Sequence, residues 1–128
     1  MPEPMTAAEF KSVAEEVFAA LPDRFHAAIS NVVIFIEEFP DADTLAGMNM
    51  ESPYDLLGLY QGWPLPERGS QYAGHLPDVI RLYRQPILAY SRTRGEEIRH
   101  CIRHVLIHEI GHYFGFSDDE MRLISNRP

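Results

Sequence analysis

The stretch with the clearest chemical content reads His108-Glu109-x-x-His112-x-x-Gly115-x-x-Asp118. Two histidines four residues apart on a helix differ by only about 40° around its axis. Both imidazoles can then face one point about one turn wide, the spacing that a single zinc ion requires. Glu109 follows the first histidine, so its carboxylate leans toward the open side of that metal, where it can take a proton from metal-bound water. Gly115 is placed to stop the helix, because glycine adopts the left-handed conformation without steric cost. The turn would bring Asp118 back as a third, anionic ligand, leaving a fourth position for water. That is the catalytic rather than the closed structural arrangement. A shuffled chain of this composition would contain His-Glu-x-x-His about 0.03 times, and the full pattern about 0.0001 times, so the spacing is a signal.

Other residues compete for roles. His100, His104, His108 and His112 recur every four residues, and His104 falls on nearly the same stripe as His108. His104 is read as a partly exposed bystander; the alternatives are substrate orientation, proton binding or a second metal site. His100 is read in the same way, and His26 and His75 receive no role. Asp119 and Glu120 are rivals to Asp118 as third ligand, or acidic residues opening a short terminal helix. Cys101 is read as core rather than nucleophile. Tyr60, Tyr72, Tyr83 and Tyr113 are all candidate oxyanion donors, and sequence does not choose among them. Arg81, Arg84, Arg92 and Arg94 read as a solvated face, with an anionic substrate group as the sharper alternative. Trp63-Pro64-Leu65 is either an exposed apolar patch or packing over a sheet.

The elements that must position these groups follow from periodicity. Thr6-x-x-Glu9 predicts a capping box, followed by a helix whose buried face holds Phe10, Val13, Ala14, Val17, Phe18 and Leu21. A short second helix is expected from Arg24 to Ser30. Val32 to Ile36 and Leu56 to Gln61 read as strands. Asp41 to Pro53 shows no period and is expected to be a loop, and Gly62 to Gly74 a turn-rich connection. Val79 to Arg84 alternates apolar and polar residues, which predicts a half-exposed strand bordering the cleft. Its free edge would accept an extended peptide unless the Gly62 to Gly74 connection covers it. Pro86 to Tyr90 is a short helix. Thr93-x-x-Glu96 is a second capping box, opening a long helix from Glu96 to Phe114. This order predicts an α+β fold, a small mixed sheet packed on helices that include a long active-site helix.

The chain has 128 residues and a formal charge of -8, which fits one domain spanning 1–128 and argues against nucleic-acid or anionic-membrane partners. Its single cysteine excludes an internal disulfide framework. No basic-then-apolar leader and no run of about 20 apolar residues is present, so a cytoplasmic protein is expected. Nothing in the sequence sets an oligomeric state.

The pattern resembles that of the zincin metallopeptidases, and its extended form is similar to the metzincin pattern with aspartate as third ligand. Leu56-Leu57-Gly58-Leu59-Tyr60-Gln61-Gly62, Leu76-Pro77-Asp78-Val79-Ile80 and the segment from His108 to Asp118 resemble a family of very small bacterial zincin-like proteins. The likeness runs from about Phe10 to Leu123. It implies a minimal zincin fold, with a short sheet over an active-site helix. It also implies His108, His112 and Asp118 as ligands of one zinc ion and Glu109 as general base. Metzincins carry a methionine-bearing turn well downstream of the third ligand, whereas only ten residues follow Asp118 here. The expected function is a zinc metallopeptidase acting on a peptide or protein substrate. The alternative is a zinc-binding protein of the same fold without peptidase activity, in a structural or partner-binding role.

Overall fold

Thr6 and Glu9 form the reciprocal capping box, the Thr6 hydroxyl accepting from the Glu9 N–H and the Glu9 carboxylate accepting from the Thr6 N–H. This starts α1 (Ala7–Ala19), which buries Phe10, Ala14 and Val17. The computed structural model describes residues 5–29, 31–62 and 77–125. After α1 come α2 (Asp23–Ala28), β1 (Val32–Glu37), α3 (Ala42–Gly47) and a single 3-10 turn at Pro53–Asp55. Then follow β2 (Gly58–Gln61), β3 (Asp78–Tyr83), α4 (Arg84–Arg94), α5 (Ile98–Phe114) and α6 (Asp118–Ser125). Among the described residues the architecture is α+β, as the element order predicts, with six α-helices and one mixed three-stranded sheet.

The strand order is β1-β3-β2. β1 runs parallel to β3, with Val32 opposite Asp78 and Glu37 opposite Tyr83. β2 runs antiparallel to β3, with Gly58 opposite Leu82 and Gln61 opposite Val79. This corrects the expectation for the strand after Pro77. β3 is the central strand, paired on both sides, and has no free edge for a peptide. Its alternation reflects two different faces. Ile80 and Leu82 are buried under the helices, whereas Arg81 lies across the outer face, bonded to Gln61 and Glu37 and stacked over the Phe35 ring.

Three further expectations change. The Asp41 to Pro53 stretch contains α3, which buries nothing and is held by the Asp41 carboxylate accepting from the Thr44 N–H. Arg84 opens α4 rather than closing a strand, and Pro86 falls in the first turn, where its missing N–H is harmless. Thr93 lies inside α4, so the Thr93–Glu96 box does not form. Gly95, at φ 66°, ends α4, and α5 begins at Ile98 after Glu97. The Gly62 to Gly74 connection lies outside the described residues beyond Gly62, and with it Trp63, Pro64, Leu65 and Tyr72, as well as His75.

The core sits between the sheet and the helices, with Ile102, Leu106, Ile107 and Ile110 of α5 fully buried against Phe10, Phe25, Ile80 and Ile87. Each such side chain contributes about 1.5–3 kcal/mol by leaving water. Cys101 belongs to this core; burial pushes its thiol up, so it has no nucleophilic character. α5 approaches β2 tightly at Gly58, where a Cβ would lie 2.7 Å from Val105 Cγ1 and 3.1 Å from the Arg81 carbonyl oxygen. No described helix is long and apolar enough to cross a membrane.

Candidate active site

Along α5, Val105, Leu106, Ile107 and Ile110 enter the core, while His104, His108 and Glu109 are half-buried and His112 is exposed. The His108 and His112 rings stand 5.9 Å apart, centre to centre, at 85° to one another. Two imidazoles sharing a zinc ion at about 2.1 Å hold their ring centres roughly 5 Å apart, so this pair fits one ion with a small side-chain adjustment. His104 stacks on His108 at 4.2 Å. Burial, then the neighbouring His108, lowers the His104 pKa and favours its neutral form. His100 is exposed, 3.9 Å from the Glu96 carboxylate. His26 packs its ring edge-on to Phe18, in a different part of the fold.

Glu109 is half-buried. Burial raises its pKa; the nearby His112 and a hydrogen bond from the Tyr60 backbone N–H act in the opposite direction. That N–H belongs to β2, so the edge strand holds the acid in place. Tyr60 is itself fixed. Its hydroxyl donates to Asp78 Oδ2 at 2.5 Å, its ring stacks on Tyr113 at 4.3 Å, and it meets Phe114 edge-on at 5.6 Å. Burial, reinforced by Asp78, pushes its hydroxyl pKa well above the usual tyrosine value. The Tyr113 hydroxyl reaches the end of β2, where a Cβ on Gly62 would overlap it. This Tyr60–Asp78–Gly62–Tyr113 arrangement escaped sequence reasoning, because its members come from two strands and a helix with no local pattern linking them.

The four candidate tyrosines separate accordingly. Tyr60 is engaged with Asp78. Tyr83 is buried, with its pKa pushed up to about 12. Tyr72 lies outside the described residues, and Tyr113 is half-exposed beside His112. Arg81 and Arg84 are tied into the fold, whereas Arg92 and Arg94 are exposed, as a solvated face would have them. Arg84 forms a two-pronged pair with Glu38 and caps the Met5 carbonyl, Arg81 is bound as described above, and Arg94 lies over the Tyr90 ring.

Past Gly115, at φ 77°, the chain reverses into α6, whose first residue is Asp118. The Asp118 side chain lies outside the described residues. Its rivals have other partners. The Glu120 carboxylate accepts from the Ser117 N–H at 2.9 Å and pairs with Arg24 at 2.5 Å, while Asp119 pairs with Arg122. Among the described residues no group of three His, Cys, Asp or Glu side chains comes together at one point. α6 packs beneath the motif, with Met121 fully buried and its Sδ lying where a Cβ on Gly111 would stand.

A family described as zincin-like metallopeptidase matches residues 29–127, which include both sheet edges and the whole of α5. The chain belongs to this zincin-like family. Membership gives metallopeptidase character at the family level, with zinc as the metal it implies. Among solved structures, the zincin-like chain is similar to a conserved hypothetical protein from T. thermophilus, at 21% identity and a TM-score of 0.55. That match covers 86% of this chain and 94% of the other, and it supports the fold alone. No curated protein matches the chain.

Proposed function

We propose that this zincin-like protein is a zinc-dependent peptidase that hydrolyses peptide bonds, with His108, His112 and Asp118 holding the ion and Glu109 acting as general base. The observation that carries this reading is the placement of Glu109. Its carboxylate follows the first of two histidines set on one face of α5, is enclosed by β2, and is held by the Tyr60 N–H. A site that only held a metal would have no use for a buried acid in that position. Asp118 is supported as third ligand by chain direction, since it opens α6 immediately after the turn at Gly115. The commitments of Asp119 and Glu120 to arginines support it as well.

When bound, zinc supplies Lewis acidity that lowers the pKa of a bound water to about 7 and polarises a carbonyl oxygen. The chain supplies the rest. Glu109 accepts the proton of the attacking water on its carboxylate and returns it to the leaving amine nitrogen. Burial makes this carboxylate a stronger base than an exposed one. The Tyr60 N–H holds it in one orientation, and β2 shields it from bulk water. Tyr113, the half-exposed tyrosine next to His112, is the side chain best placed to line the substrate.

The test combines metal analysis with cleavage of a peptide library. Wild type should purify with about one zinc per chain and cleave peptides. Glu109→Gln should keep the zinc and lose about 10²–10⁴-fold in rate, the usual share of a general base. Full activity in that variant would remove Glu109 from the mechanism. His112→Ala should lose the metal, and unchanged stoichiometry after dialysis would overturn the ligand set.

A further inference from the structure

On α1, Lys11, Glu15 and Phe18 are spaced four and three residues apart and share one stripe. With Val32, Val33 and Ile34 of β1 they line an open groove of about 280 Å³. Among the described residues β1 is an edge strand, paired with β3 on one side. Its sequence, Val-Val-Ile-Phe-Ile-Glu, contains no lysine, proline or glycine, the residues by which proteins discourage edge pairing. Phe35, midway along it, is 44% exposed. Lys11 is the only lysine in the chain. Among the described residues, neither it nor Glu15 belongs to an ion pair, although they stand one helical turn apart. Lysine placed N-terminal to glutamate is the less favourable order for pairing within a helix.

We propose that this edge is a self-association surface, on which two copies pair β1 to β1 antiparallel about a two-fold axis that sets Lys11 of each α1 against Glu15 of the other. The charges single out a second copy as the occupant. A two-fold axis passing between the two copies of α1, level with the middle of the 11–15 turn, sets each Lys11 opposite the other copy's Glu15, so both ion pairs form at once from a single (+, −) stripe. An isologous interface must be self-complementary in this way. A foreign strand could match the apolar edge but would have to supply the opposite charges in the same order. Joining the copies gives a six-stranded sheet ordered β2-β3-β1-β1-β3-β2, with the two Glu109 sites at its outer ends. The proposal does not depend on peptidase activity.

The full-length chain is examined by sedimentation velocity over a concentration series, at low and high salt. A dimer is expected, weakened by salt. Lys11→Glu sets four carboxylates together and should weaken association at least tenfold. The exchanged double variant, Lys11→Glu with Glu15→Lys, should restore it to within about threefold, because the two-fold axis pairs the swapped charges equally well. Both positions are exposed, and circular dichroism checks that α1 is intact. A monomeric wild type overturns the proposal, as does a dimer indifferent to Lys11→Glu or a double variant that stays monomeric.

Discussion

The two edges of the sheet face opposite demands. The β2 edge is closed from within. Gly58 lets α5 approach to side-chain contact with Val105, the outward N–H of Tyr60 is taken by Glu109, and Tyr113 lies over Gly62. Two glycines in five residues would be a poor choice for an independent strand, and here they are the condition for bringing a helix and its carboxylate close. The β1 edge is built of β-branched and aromatic residues, which favour strand structure intrinsically, and between it and α1 lies an open groove. One edge gives up strand propensity to hold a chemical group. The other keeps it, and among the described residues its outer side pairs with no strand.

The largest effect should come from disturbing the closed edge. Gly58→Val adds atoms where Val105 and the Arg81 carbonyl already stand, and should cost about 3 kcal/mol, measured by urea unfolding. On the open edge, Val33→Ile adds one methylene toward the groove and should stay within about 0.5 kcal/mol. Equal costs at both sites would break the contrast. Next in size, Tyr60→Phe removes the bond to Asp78 and should lower stability by about 1–3 kcal/mol. It leaves the backbone N–H to Glu109, so cleavage by the folded variant should fall much less than in Glu109→Gln. The smallest effect is on alkaline stability. The folded-state pKa values of Tyr60 and Tyr83 are raised, so their contribution is complete below the unfolded value near 10. It declines as pH rises from there, through about 12 for Tyr83. Thermal melts between pH 8 and 11 should show the loss beginning near pH 10 and reduced in Tyr60→Phe.

Much of this was legible from residue order because it depends on local geometry. The turn of α5 that sets His108 beside His112, the capping box at Thr6 and the glycine stop at Gly115 each lie within a few residues. The missed features are those that a periodicity count does not register. α3 is short, buries no residue, and shows itself only through the Asp41 cap. Thr93 and Glu96 have the spacing of a capping box, yet α4 runs through Thr93 until Gly95 stops it. β3 alternates like a strand with one wet face, and that is correct for its faces; its central position depends on long-range pairing with β1 and β2. The clamp of Tyr60 on Asp78 and Tyr113 joins positions up to 53 apart in the numbering, which no short motif encodes.

The contact between Gly111 and Met121 has a consequence for how the motif should be read. His-Glu-x-x-His leaves two letters open, and in this chain both are determined by packing. Ile110 is fully buried in the core, and Met121 of the returning helix packs against Gly111 so closely that any Cβ there would require it to move. The five residues are therefore not a portable cassette. Grafted onto another helix, they would keep their histidines and carboxylate and lose the helix that is seated under them. Conversely, a Cβ introduced at position 111 would lie 2.3 Å from Met121 Sδ and 2.8 Å from its Cγ, so Met121 would have to leave its buried seat and the packing of α6 on α5 would change with it.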